Sequence, residues 1–222
     1  MIKDFSIPKA LQESINSKQR DLKEQYKKLT VLDDPKLDTW FENQLKDDTK
    51  RGYLYEHYIG YLLEQLKYKV DYHGIISLQA GNPDGGIDLI AENDECTLII
   101  QCKNYGEKSK ITSKTIREHH TVVEKKEDEY PNKKIYGAIF GTSAFGKNIK
   151  KEAKEDKISL FCIELPNRFP VLKCKIIQKT YRYYCFPADK GYYTLEINND
   201  NGDCYCLTVK EAEEKGFTQS KY

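Results

Sequence analysis

The chain has 222 residues, 39% of them hydrophobic, with 36 Lys and Arg against 35 Asp and Glu. That is enough chain for one compact core with additions, and no apolar run nears the roughly 18 residues that cross a bilayer. The net charge of +1 neither requires nor excludes a nucleic-acid partner, because a local basic stripe suffices for one.

The opening MIKDFSIPKALQES has no apolar signal segment, so a cytoplasmic protein is expected. In that compartment the cysteines read as reduced thiols. Leu11, Ile15 and the row Leu22, Tyr26, Leu29 predict an amphipathic helix. Asp33-Asp34-Pro35 breaks it, and a second short helix carries Leu37, Trp40, Phe41 and Leu45. Residues 1–49 therefore read as a helical N-terminal arm. Tyr55, Ile59, Leu62 and Leu66 then mark one face of a stronger helix.

Tyr68 to Tyr72 alternates like a strand, as does the stretch from Ile87 to Glu92, and Thr97 to Lys103 is a third, largely apolar strand. A helix follows from Ile111 to Asp128, a strand from Ile135 to Phe140, a polar helix from Lys147 to Asp156 and a strand from Ile158 to Leu165. The order α-β-β-β-α-β-α-β predicts an α/β unit over residues 50–165, a mixed sheet flanked by helices. Residues 166–222 carry turn signals at Pro187, Lys190-Gly191 and Asn201-Gly202-Asp203. Gly216 stops a short helix from Val209 to Lys215, and the segment reads as a small β-rich tail of hairpin and helix.

The chemistry concentrates in Asp84-Gly85-Gly86-Ile87-Asp88 and Ile100-Gln101-Cys102-Lys103. Residues two apart on a strand share a face, so Gln101 and Lys103 point one way and Cys102 the other. A two-residue turn at Asn93-Asp94 would set Asp88 opposite Ile99, diagonal to Gln101; a slip of two residues would keep the faces, a slip of one would not. Asp88 is a hard oxygen ligand suited to Mg²⁺, to which the Gln101 amide oxygen and the Cys102 carbonyl add two more. Lys103 would stand beside a metal-bound water and a scissile phosphate. Glu56, on the flank of the helix face, is the candidate for a further carboxylate. Taken singly, these residues are more often a solvated helix charge, a glycine turn and chance polar positions on a strand.

Several blocks in order resemble the Mrr-type restriction endonucleases of the PD-(D/E)xK nuclease superfamily. They are Arg51-Gly52-x-x-Tyr55-Glu56-x-x-Ile59-Gly60, Tyr72-x-Gly74-Ile75, Asp84-Gly85-Gly86-Ile87-Asp88-Leu89-Ile90, and Ile99-Ile100-Gln101-Cys102-Lys103. Gly137-Ala138-Ile139-Phe140-Gly141-Thr142-Ser143-x-Phe145 and Ile158-Ser159-Leu160 continue the likeness, which spans residues 51–165. The resemblance implies a restriction-endonuclease-like fold and Mg²⁺-dependent hydrolysis of DNA, with Mn²⁺ as a substitute, in restriction or defence. It implies that Asp88 is the metal-binding Asp, Lys103 the motif Lys and Glu56 the helical Glu. Gln101 stands where the wider superfamily has Asp or Glu, a variant common in this branch that removes one negative charge from the site. A nucleic-acid-binding or structural protein with lost catalysis, and a repair or junction nuclease, are the alternatives. A homodimer would supply the two sites that cutting both strands usually takes.

Lys108, Lys110, Lys114 and Arg117 follow the third strand and are candidate DNA-phosphate contacts or a solvated helix face. His119 and His120, neighbours on a helix, do not converge on one ion and are expected at the surface or near phosphate. Cys174, Cys185, Cys204 and Cys206 lack the two Cys-x₂₋₄-Cys knuckles of a zinc ribbon, so reduced thiols are expected there.

Overall fold

The computed structural model describes residues 6–28, 34–104 and 111–220. Helix α1 (Ser6–Lys28) buries Leu11, Ile15 and Leu22, the stripe read from the sequence. Leu29 lies outside the described residues, and of Tyr26 only the helical backbone is described. Helix α2 (Pro35–Lys46) starts with proline at its first position. The Asp34 carboxylate caps it, accepting the Leu37 N–H at 3.2 Å. Leu37 and Phe41 are buried.

Helix α3 (Asp48–Gln65) is capped by Asp47, whose carboxylate accepts the Lys50 N–H at 2.8 Å. The sequence shows one apolar face here, yet every residue from Leu54 to Leu63 is buried. The reason is that α3 is covered on all sides, and several of its polar groups find partners there. The Tyr55 hydroxyl donates to the Ile163 carbonyl at 3.0 Å, and Gln19 of α1 donates to the Tyr58 hydroxyl at 3.2 Å. Buried polar groups persist when so paired.

The first sheet runs β1 (Lys69–Asp71), β2 (Leu89–Glu92), β3 (Thr97–Lys103), β4 (Ile135–Gly141), β5 (Ile158–Cys162), side by side in that order. β1, β2 and β3 are antiparallel neighbours, and β3, β4 and β5 are parallel, joined through α5 (Ser113–Glu129) and α6 (Lys147–Glu155). Leu98, Ile100, Cys102, Ala138 and Phe140 face the α3 side, and Ile99, Ile135 and Ile139 pack with Ile116, Val123 and Ala153 of α5 and α6. Alternation along each strand thus feeds two apolar layers.

One helix departs from the sequence reading. α4 (His73–Gln79) interrupts the expected strand succession between β1 and β2. It is seven residues long, and its N-cap Tyr72 makes no side-chain cap bond, so neither periodicity nor capping announces it.

After Pro166 a second sheet forms, in the order β8 (Cys204–Cys206), β6 (Leu172–Ile177), β7 (Tyr181–Cys185), β9 (Thr218–Gln219), with α7 (Val209–Glu214) between β8 and β9. The expected hairpin is the antiparallel pair β6–β7. β8 and β9 are too short to show alternation in sequence. The apolar layer on the α3 side continues into this sheet through Phe169, Leu172, Cys174 and Tyr184.

A buried polar network also joins the two sheets through α3. Lys173 of β6 is 1% exposed, and its ammonium donates to the Leu195 carbonyl at 2.8 Å. It lies 3.7 Å from Glu64, among the rings of Tyr72, Tyr192 and Tyr205. Tyr205 donates its hydroxyl to the other Glu64 oxygen. The Tyr192 hydroxyl donates to the Val171 carbonyl at 2.6 Å, so the His57 Nε2–H, 2.8 Å away, is the donor to that hydroxyl.

Candidate active site

Gly85 and Gly86 take φ of +63° and +80°, a turn closed by the Asp84 carboxylate accepting the Gly86 N–H at 2.8 Å. This turn sends Ile87 into the α5-side core and delivers Asp88 to the mouth of β2. Three main-chain groups then hold Asp88. Its N–H donates to the Ile100 carbonyl at 3.0 Å, its carbonyl accepts the Gly74 N–H at 2.9 Å, and its carboxylate accepts the Cys102 N–H at 2.6 Å.

The β2–β3 register pairs Leu89 with Ile100, two residues away from the expected pairing, and so brings Asp88 level with Gln101. Four residues, Asn93 to Cys96, make the turn instead of two, because the Asn93 carboxamide oxygen accepts the N–H groups of Glu95 and Cys96 at 3.0 and 2.9 Å. A shift of two preserves every face. Gln101 and Lys103 share the side of Ile99, while Cys102 is buried toward α3.

Glu56 approaches from α3 and is 8% exposed. Gly74, at the start of α4, is the spacer between it and Asp88. A Cβ on Gly74 would stand 3.2 Å from Glu56 Oε2 and 3.2 Å from the Asp88 Cα, so only glycine admits this approach without displacement. Glu56 Oε2 and Gln101 Oε1 are both buried, and neither has a hydrogen-bond partner among the described residues.

The electrostatics agree with this crowding of acids. Burial, then the charges of Asp88 and Asp84, push the Glu56 carboxyl up to about 9, against the pull of Lys103. Burial also raises Asp88, opposed by the Cys102 N–H and Lys103. Tyr53 is raised by burial, then by the charges of Glu56, Asp84 and Asp88. Two orphaned buried oxygens, one from the Glu56 carboxylate and one from the Gln101 amide, with Asp88 as the second carboxylate, are a donor set of hard oxygens with excess negative charge. That set fits a divalent cation held by Asp88, Glu56 and Gln101.

Of the residues expected from sequence, Glu56, Asp88, Gln101 and Lys103 thus come together at the β2–β3 end of the first sheet. Cys102 meets the site through its N–H, bound to Asp88. Lys114 and Arg117 lie on the first turns of α5, where Lys114 pairs with Glu118 at 3.6 Å and Arg117 with Glu152 of α6 at 2.9 Å. Lys108 and Lys110 lie outside the described residues. His119 corrects the expectation of a surface residue: it is 1% exposed, with Nε2 3.1 Å from the Ile99 carbonyl. Burial lowers it to about 4, so the ring is neutral. His120 is partly exposed, 3.4 Å from Glu124.

Gly74 and Asp84 stand within the motif blocks of the sequence, but the roles of Gly74 as spacer and of the Asp84 carboxylate in closing the glycine turn emerge only from the structure. Nothing in the sequence points to Tyr53 or Tyr193, whose phenols are raised by burial and then by the charge of Glu56. Tyr193 comes from the tail, packs 5.3 Å from the Tyr72 ring, and is raised by burial and by the charge of Glu56.

A family model described as restriction endonuclease, the Mrr catalytic domain, matches residues 48–165. The chain belongs to this family. The Mrr catalytic domain thus spans α3 to the loop after β5, and all four clustered residues fall inside it. Membership makes residues 48–165 a nuclease-type domain with the restriction-endonuclease-like fold. None of the curated proteins matches the chain. A crystal structure of a protein of unknown function, AF1548, is similar at 22% identity and a TM-score of 0.40, over 49% of this chain and 56% of its own. The chain therefore spans less than two thirds of that protein's length. Among the described residues no helix is long and apolar enough to cross a membrane.

Proposed function

We propose that the chain is a Mg²⁺-dependent endonuclease that hydrolyses DNA phosphodiester bonds, in restriction of or defence against foreign DNA. The observation that carries this reading is the pair of buried, unpartnered oxygens of Glu56 and Gln101 beside Asp88. Asp88 is aimed by the Cys102 N–H, and so holds one carboxylate oxygen fixed and leaves the other for the ion. Glu56 supplies a second carboxylate, and its importance grows because Gln101 offers a neutral oxygen. The Cys102 carbonyl is the remaining oxygen from the chain. A bound Mg²⁺ lowers the pKa of its water and polarises the phosphate.

Lys103 positions the attacking water and offsets the charge that builds on the phosphate oxygens. Lys114 contacts the DNA backbone, with Lys108, Lys110 and Arg117 in the same role; Arg117 must share its charge with Glu152. The arm (residues 1–49) and tail (residues 166–222) tune substrate choice or assembly around the central unit, and a homodimer delivers two sites to one duplex. Supercoiled and linear DNA incubated with Mg²⁺, with Mn²⁺ and with EDTA tests the reading. Cleavage is expected with either ion and none in EDTA. DNA binding without cleavage under all three conditions would support the non-catalytic alternative instead.

A further inference from the structure

The tail cysteines fall into place in a way their spacing in sequence conceals. β6 and β8 pair with Cys174 directly opposite Cys204. Opposite residues on an antiparallel pair share a face, and so do residues two apart on one strand, so Cys206 joins them. The three sulfurs all lie within 4.8 Å of one another, and those of Cys204 and Cys206 are 3.9 Å apart. A tetrahedral zinc ion with Zn–S bonds of about 2.3 Å separates its sulfurs by about 3.8 Å. Cys174 and Cys206 are fully buried, and Cys204 is partly exposed, which leaves one side of the cluster open to solvent.

We propose that Cys174, Cys204 and Cys206 form a zinc site that fastens β8 to β6, with its fourth position on the solvent side of Cys204. The choice of metal follows from the donors: three thiolates select a soft or borderline ion, whereas the hard oxygens around Asp88 select Mg²⁺. Zn²⁺ with three thiolates carries one net negative charge. Lys215, just after α7, stands ready to balance it, its ammonium 3.7 Å from the Cys206 sulfur and 2.7 Å from Glu211. Such an outer contact orients and stabilises a thiolate ligand. The ion would stiffen a sheet whose strand β8 has only three residues. The fourth tail cysteine, Cys185, pairs opposite Lys173 rather than Cys174 and takes no part.

Cobalt titration of the full-length, reduced protein tests this directly, because Co²⁺ bound by thiolates absorbs in the near ultraviolet by sulfur-to-metal charge transfer. One equivalent of Co²⁺ per chain is expected to give that band, and Zn²⁺ to displace it. Cys204→Ser, at the partly exposed position, is expected to weaken cobalt binding by more than the roughly 10–100-fold typical of losing an outer contact. Cys162→Ser, at an exposed cysteine of the first sheet, and Asp88→Ala are expected to leave the band unchanged. Wild-type protein that shows no charge-transfer band, or that holds a Cys174–Cys204 disulfide by mass spectrometry under reducing preparation, would overturn the proposal. So would a band that survives Cys204→Ser undiminished.

Discussion

Lys103 and Gln101 sit on one face of one strand, yet their expected contributions differ. Lys103 acts where charge develops, so Lys103→Ala should slow cleavage by roughly 100- to 1,000-fold. DNA affinity should barely change, since one cation among many phosphate contacts adds little. Gln101→Glu restores a second strand carboxylate and should move the Mg²⁺ midpoint of cleavage to lower concentration. A Mg²⁺ titration of cleavage at fixed salt checks both; an unmoved midpoint or an unchanged Lys103→Ala rate would reverse the assignment. His119 supplies a pH signature unrelated to catalysis. Its folded-state pKa of about 4 lies below the ordinary 6.5, because the buried ring resists charging. Its contribution to stability is therefore complete above pH 6.5 and is lost as pH falls toward 4. Wild-type melting temperature should drop over that window, and the acid drop should be shallower in His119→Asn. Equal acid limbs for the two proteins would contradict the buried neutral ring.

Strands and helices with strong patterns were legible, and β3 runs from Thr97 to Lys103 as read. The β2–β3 register was not, because an asparagine side chain, rather than chain length, decides the turn. The site survived that error since strand faces repeat every two residues. α4 and the strands β8 and β9 were invisible for want of length. The burial of α3 on all sides was equally hidden, because its outer residues His57, Tyr58 and Tyr61 look like a polar face. Those residues meet the second sheet and α1, where aromatic rings and hydroxyls find partners. Lys173, which nothing in the sequence singles out, is the ion of an aromatic box. Lys173→Met would leave Glu64 buried without its cation and should cost about 3–5 kcal/mol in denaturant unfolding. Adding Glu64→Gln should return a large part of that loss. A double variant no more stable than Lys173→Met alone would show that the pair is not coupled.

At the scale of the whole molecule, one apolar layer runs from Leu11 and Phe41 through α3 and one face of the first sheet to Phe169 and Tyr184. The family match ends within this layer, at residue 165. A fragment of residues 50–165 would therefore expose the outer faces of α3 and should not fold alone, whereas the full chain should melt in a single transition. A fragment with a native circular dichroism spectrum and a cooperative melt would contradict this. The tail also packs on the α3–α4 corner next to the candidate site, where the Tyr193 ring lies 5.5 Å from that of His57 and 5.3 Å from that of Tyr72. The central claim is that Glu56, Asp88, Gln101 and Lys103 form one cation-dependent nuclease centre. Asp88→Asn tests it with least disturbance, because the carboxamide oxygen can still accept the Cys102 N–H. The measurement is the single-turnover rate of DNA cleavage by wild type and Asp88→Asn across a Mg²⁺ titration. The expected result is saturable cleavage by wild type, and at least a 100-fold slower rate in a variant whose melting temperature without metal is no lower than wild type, roughly the loss from removing one preorganised group. Cleavage by Asp88→Asn at the wild-type rate, or wild-type cleavage that ignores Mg²⁺, would contradict it.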